Sequence, residues 1–175
     1  DEMTLALRLS TQLEDAVAID KFGGRCLLAH EPGLGKSLMS LLHAKNHPEL
    51  RPVVIVCPAS VKWQWQRECK IHLGWRSEVL QGTKPAPPGW LMPKPITIIN
   101  YDVLTPWMEW LKLLNPRLVI VDETHMIGNR GTKRTKAVRE LCKGVPHVLA
   151  LSGTPLTNRP AELWPTLNLL WPTEY

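Results

Sequence analysis

The sequence predicts a doubly wound α/β domain on a mainly parallel sheet, and three observations carry that expectation. Five short runs, Arg25–Ala29, Val53–Cys57, Ile96–Asn100, Leu118–Val121 and Val148–Leu151, are apolar along most of their length rather than alternating. That is the pattern of strands covered on both faces. Longer stretches of helical character lie between and after them, at Lys36–Asn46, Ser60–His72, Asp102–Leu114, Lys133–Lys143 and Pro160–Leu170. Strands alternating with helices form βαβ units, whose strands pair in parallel. The composition agrees: 175 residues, 44% of them hydrophobic, are too apolar for a disordered tail and suffice for one good core or two cramped ones.

Taken in order, the chain offers a reason for each element. Ahead of the first strand, Thr11-Gln12-Leu13-Glu14 fits a capping box, the Thr hydroxyl accepting a first-turn N–H while Glu14 reaches back. In Ser60–His72, Val61, Trp65 and Cys69 recur every four residues and so share one face. The segment Lys84–Pro95 carries five prolines in twelve residues, which excludes regular structure and predicts a surface loop feeding the strand at Ile96. Trp65, Trp107, Trp110 and Trp164 fall on helices among apolar neighbours and are read as core. Arg130, Lys133, Arg134, Lys136, Arg139 and Lys143, against the single acid Glu140 in that stretch, read as a solvated helix face.

Other classes are set aside on composition. No apolar run approaches the ~20 residues a membrane helix needs, and no basic-then-apolar leader precedes a small-residue cleavage site. An intracellular protein is therefore expected, cytoplasmic in a prokaryote or phage host and nuclear in a eukaryote, with no membrane partner. Cys26, Cys57, Cys69 and Cys142 show no CxxC spacing and are expected to be reduced, buried thiols rather than disulfides or zinc ligands. The net charge of +5 permits a nucleic-acid partner without requiring one.

Three strand ends carry chemistry. His30-Glu31-Pro32-Gly33-Leu34-Gly35-Lys36-Ser37 follows a strand and opens a helix, the setting of a phosphate-binding loop. Glycines let backbone N–H groups turn toward phosphate oxygens, Lys36 reaches the β- and γ-phosphates, and the Ser37 hydroxyl ligates Mg²⁺. The strict pattern is broken at His30, and a plain strand-to-helix turn is the alternative. Leu118–Val121 runs into Asp122-Glu123, at the strand end where open α/β sheets place their ligands. Asp122 is suited to holding Mg²⁺ and Glu123 to deprotonating an attacking water; the alternative is a pair of helix-capping acids. Leu149–Leu151 ends in Ser152-Gly153-Thr154, a turn able to exchange hydrogen bonds with His125 and sense the γ-phosphate, or else an ordinary strand exit.

These motifs together resemble the first lobe of a Swi/Snf-type ATPase of helicase superfamily two. His30–Ser37 is similar to that family's phosphate loop, with departures at His30, Pro32 and Ser37. Val54–Ser60 with Trp63 and Trp65–Glu68, then Ile98–Leu104, Asp122–His125, Leu151–Asn158 and Pro160–Trp164 resemble its further motifs in order. The wording at His125–Asn129 and Arg159–Leu163 is similar to the annealing-helicase branch. The resemblance implies a RecA-like lobe spanning residues 1–175, a second such lobe as partner, and ATP with Mg²⁺ as cofactors. It implies an ATP-driven translocase on duplex DNA, related to chromatin-remodelling motors, with an RNA helicase lobe or a degenerate binding module as alternatives. It implies that Gln12, Gly33, Leu34, Gly35, Lys36 and Ser37 bind nucleotide and that Lys36, Asp122 and Glu123 are catalytic. His125, Ser152, Gly153 and Thr154 then couple the nucleotide to motion. Ser60, Lys62, Trp63, Asn100 and Tyr101 grip DNA phosphates. A lobe alone, lacking the partner's arginines, is expected to be nearly inactive.

Overall fold

Six strands form one sheet in the order β1-β6-β5-β2-β4-β3, and every pairing in it is parallel. The strands are β1 (Arg25–Ala29), β2 (Val53–Cys57), β3 (Ser77–Val79), β4 (Ile96–Asn100), β5 (Leu118–Val121) and β6 (His147–Ser152). This is a computed structural model, and it describes residues 14, 17–29, 35–87, 89–90, 92–153 and 163–174. Among the described residues, the helices α1 (Lys36–Asn46), α2 (Lys62–Leu73), α3 (Leu104–Leu114), α4 (Lys133–Cys142) and α5 (Trp164–Leu170) flank the sheet. Residues 17–21 are also helical.

Strand alternation divides the core into two layers. Val53, Ile55 and Cys57 of β2, with Ile96, Ile98, Leu118 and Ile120, pack against Met39, Leu41, Trp65 and Cys69 of α1 and α2. Val54, Val56, Val119 and Val121 face the opposite way, toward Leu104, Trp107 and Leu111 of α3 and Val138 and Leu141 of α4. Residues such as Ile55, Ile98 and Ile120 are fully buried, each contributing about 1.5–3 kcal/mol of transfer free energy. Helices on both faces are what a buried parallel sheet requires. No helix among the described residues is long and apolar enough to cross a membrane.

Three details differ from the sequence reading. Short β3, with the sequence Ser-Glu-Val, pairs on the sheet edge beyond β4 and was not foreseen. The helices expected from Ser60 and Asp102 begin with 3₁₀ turns, Ala59–Val61 and Tyr101–Val103, before becoming α-helical at Lys62 and Leu104; such tightened first turns are frequent at helix starts. β6 runs one residue further at each end, from His147 to Ser152. Cys26, Cys57, Cys69 and Cys142 are buried and form no disulfide, and the described part of the proline-rich segment holds no helix or strand. On α4, Thr135, Ala137, Val138, Leu141 and Cys142 are buried, while Lys133, Lys136 and Arg139 are exposed, as read. Trp65 and Trp107 are core; Trp110 and Trp164 are half-buried.

Candidate functional site

Because all strands run the same way, the segments leaving them emerge at one edge of the sheet, the edge where this architecture places ligands. Gly35, Lys36, Ser37, Trp65, Glu68, Asp122, Glu123 and Gly153 line a single cavity of about 410 Å³ there. The predicted lysine, hydroxyl and twin acids thus come together. Gly35 starts α1 in the left-handed region at φ 80° and offers no side-chain cap, so the first-turn N–H groups of α1 stay available to an anion. Gln12, Gly33, Leu34 and Thr154, with His30 and Pro32, lie outside the described residues.

Asp122 is the most tightly held group of the site. Its Oδ2 accepts a hydrogen bond from Trp65 Nε1 at 2.8 Å, and its Oδ1 accepts one from the Glu123 backbone N–H at 2.9 Å. Its own N–H donates to the Val56 carbonyl at 2.8 Å, and the Tyr101 hydroxyl donates to its carbonyl. Burial raises the Asp122 pKa; the Trp65 N–H, the Glu123 N–H and the Lys36 ammonium pull the other way, while the Glu123 charge adds to the rise. The influence of Lys36 on Asp122 reflects their shared cavity.

Glu123 takes a left-handed backbone conformation, φ 52° and ψ 58°, which costs a non-glycine residue of order 1 kcal/mol. The bend turns its carboxylate away from that of Asp122 and onto His125, whose Nδ1 lies 3.1 Å from Glu123 Oε2. His125 therefore pairs with the acid two residues before it; of the Ser152-Gly153-Thr154 turn expected to exchange hydrogen bonds with it, Gly153 lines the same cavity and Thr154 lies outside the described residues. An oxygen donor set with one nearby ammonium suits a hard cation such as Mg²⁺ and a phosphate chain, so the residues present fit both groups.

Sequence reasoning read Trp65 as core, which is true at 3% exposure, but missed its role in the site. A buried indole must pair its N–H, and here the partner is the acid of another motif. The five expected DNA-contacting residues divide. Ser60 is exposed and Trp63 is 55% exposed. Lys62 is only 8% exposed, its Nζ donating to the Leu80 carbonyl at 3.1 Å. Asn100 and Tyr101 are buried. Lys62 thus ties α2 to the segment after β3 instead of presenting its charge at the surface, because the short β3 brings an open carbonyl within reach.

A helix start with lysine and serine thus lines one cavity with two carboxylates at the sheet edge, on a parallel sheet with flanking helices. The chain belongs to the SNF2-related domain family, whose model matches residues 17–175. It is thus an ATPase domain of the helicase-like class. A Caenorhabditis elegans protein, the homolog of SWI/SNF-related matrix-associated actin-dependent regulator of chromatin subfamily A-like protein 1, is 36% identical over 152 residues, covering 84% of this chain and 22% of that protein. The mouse DNA annealing helicase and endonuclease ZRANB3 is 30% identical, covering 87% of this chain and 15% of its own length. The Sulfolobus solfataricus SWI2/SNF2 ATPase core in complex with dsDNA superposes with a TM-score of 0.79 at 29% identity, over 93% of this chain and 35% of that one. The chain thus spans between about a seventh and a fifth of the length of these curated relatives.

Proposed function

We propose that this chain is the first RecA-like lobe of an ATP-driven translocase on duplex DNA acting inside the cell. The observation that carries the reading is the single cavity joining Lys36 and Ser37 to Asp122 and Glu123. In it Lys36 and the α1 N-terminus hold the phosphate chain, with Gly33, Leu34 and Gln12 expected to complete the nucleotide contacts. Ser37 and Asp122 are the residues to hold Mg²⁺, which when bound neutralises charge on the phosphates. Glu123 positions a water in line with the γ-phosphate and takes its proton. The His125 ring beside it orients that carboxylate and links it to the Ser152-Gly153-Thr154 turn. Ser60 and Trp63, exposed beside this edge, are the side chains for the DNA backbone, giving affinity without base reading. The relative solved with dsDNA supports duplex DNA as the polymer.

A second RecA-like lobe supplies arginines to the transferring phosphate in this scheme. Losing such a finger costs about 10³–10⁵ in rate, so the lobe alone turns over ATP very slowly. The test is ATP turnover by the two-lobe protein with duplex DNA, with RNA and without nucleic acid, beside Glu123→Gln. The reading expects strong stimulation by duplex DNA and loss of turnover with retained ATP binding in Glu123→Gln. Stimulation by RNA alone, or binding without any turnover in the parent, overturns it.

A further inference from the structure

At the opposite edge of the sheet, where β6 begins and α1 ends, lies a cluster that the ATPase chemistry does not use. His43 sits on the last turn of α1 and His47 is the residue that ends it, a spacing of four that puts both rings on one side. Asp20 reaches them from the helical residues 17–21. Its Oδ1 lies 3.0 Å from His47 Nε2 and 3.7 Å from His43 Nδ1, and one ligand atom from each residue lies within 4.8 Å of the others.

We propose that Asp20, His43 and His47 bind one divalent transition-metal ion of the zinc class. Ligand bonds of about 2.0–2.1 Å in a tetrahedral shell set donor atoms about 3.3 Å apart; Asp20 Oδ1 already stands within about 0.4 Å of that spacing from both rings, and the two ring nitrogens, within 4.8 Å of one another, draw together on binding. The ring nitrogens turned away from the site are already engaged. His47 Nδ1 lies 3.0 Å from Glu49 Oε1, and His43 Nε2 lies 2.9 Å from His147 Nδ1. Metal-binding histidines are oriented in this way, the far N–H given to a carboxylate or another acceptor. Gly24 makes room for the arrangement: a Cβ there would stand 2.1 Å from His147 Nδ1. His43 is 3% exposed, so its ring is held in place by the surrounding core. Two imidazoles and one carboxylate select zinc, nickel, copper or cobalt over magnesium and calcium. His47 and Asp20 are partly exposed, which leaves an entry path and a fourth position for water.

The test is titration of the protein with Co²⁺, read by its visible d–d absorption, beside Asp20→Asn, His47→Gln, Glu49→Gln and Asp122→Asn. Asp20 and His47 are partly exposed, so these substitutions leave the core intact. The proposal expects one ion per chain with the spectrum of nitrogen and oxygen ligation. Affinity falls at least tenfold in Asp20→Asn and His47→Gln, falls about 10–100-fold in Glu49→Gln, and is unchanged in Asp122→Asn. Zinc at a hundred times its Kd raises Tm by about 5–10 °C, a gain cut by about half or more at the same zinc concentration in His47→Gln. Absence of stoichiometric binding, binding indifferent to Asp20 and His47, loss confined to Asp122→Asn, or a thiolate spectrum each overturns it.

Discussion

Replacing Trp65 with phenylalanine keeps an aromatic ring in the core and removes the N–H that holds Asp122 Oδ2 at 2.8 Å. A hydrogen bond to a charged group contributes about 1.5–3 kcal/mol, and the lost ring atoms add about 1 kcal/mol of burial and packing. The expected cost is therefore about 2.5–4 kcal/mol, which in a domain of this size lowers Tm by about 5–15 °C. Packing and hydrogen bond are separated by urea unfolding of Trp65→Phe, Asp122→Ala and the double variant. If the indole fixes the acid, the two substitutions couple by at least about 1 kcal/mol. A coupling within about 0.3 kcal/mol of zero refutes the argument that Trp65 positions the site.

Two further outcomes follow from the same packing. Lys62→Ala is expected to lose about 1–3 kcal/mol of stability, because the Leu80 carbonyl forfeits its donor, and to leave the salt slope of DNA binding by the two-lobe protein unchanged; a drop of about one unit in that slope contradicts the structural role. Burial pushes the Cys57, Cys69 and Cys142 thiols up to about 12. At pH 8 their thiolate fraction is then about one in ten thousand, so a thiol reagent labels none of the three in the folded chain and all of them in denaturant; rapid native labelling of any one disproves it.

The strands were legible because a sheet buried on both faces demands runs such as Val53–Cys57 and Leu118–Val121, a signal stronger than any periodicity of one face. The site residues Lys36, Ser37, Asp122 and Glu123 were legible because they stand just beyond the ends of β1 and β5, the first pair after a short loop and the second pair directly, so topology brings them to one sheet edge. β3 escaped notice because Ser-Glu-Val at a sheet edge needs no apolar run. Lys62 looked like a surface cation because spacing does not reveal that the Leu80 carbonyl lies within reach. Trp65 looked like plain core because its helical face is apolar, and only the partner of its N–H discloses the link to Asp122. The Asp20–His43–His47 cluster was invisible for a related reason: Asp20 comes from a separate helical segment, and His147, which holds His43, from the start of a distant strand.

The central claim is that Lys36, Ser37 and Asp122 converge on one metal-bound triphosphate. A structure of the protein with Mg²⁺ and a non-hydrolysable ATP analogue tests it most directly. The account predicts the β- and γ-phosphates against the α1 N-terminus and Lys36 Nζ, with Ser37 and Asp122 on the magnesium side and Glu123 facing the γ-phosphate. Phosphates bound away from this cavity, or a metal held without Ser37 and Asp122 nearby, contradict it.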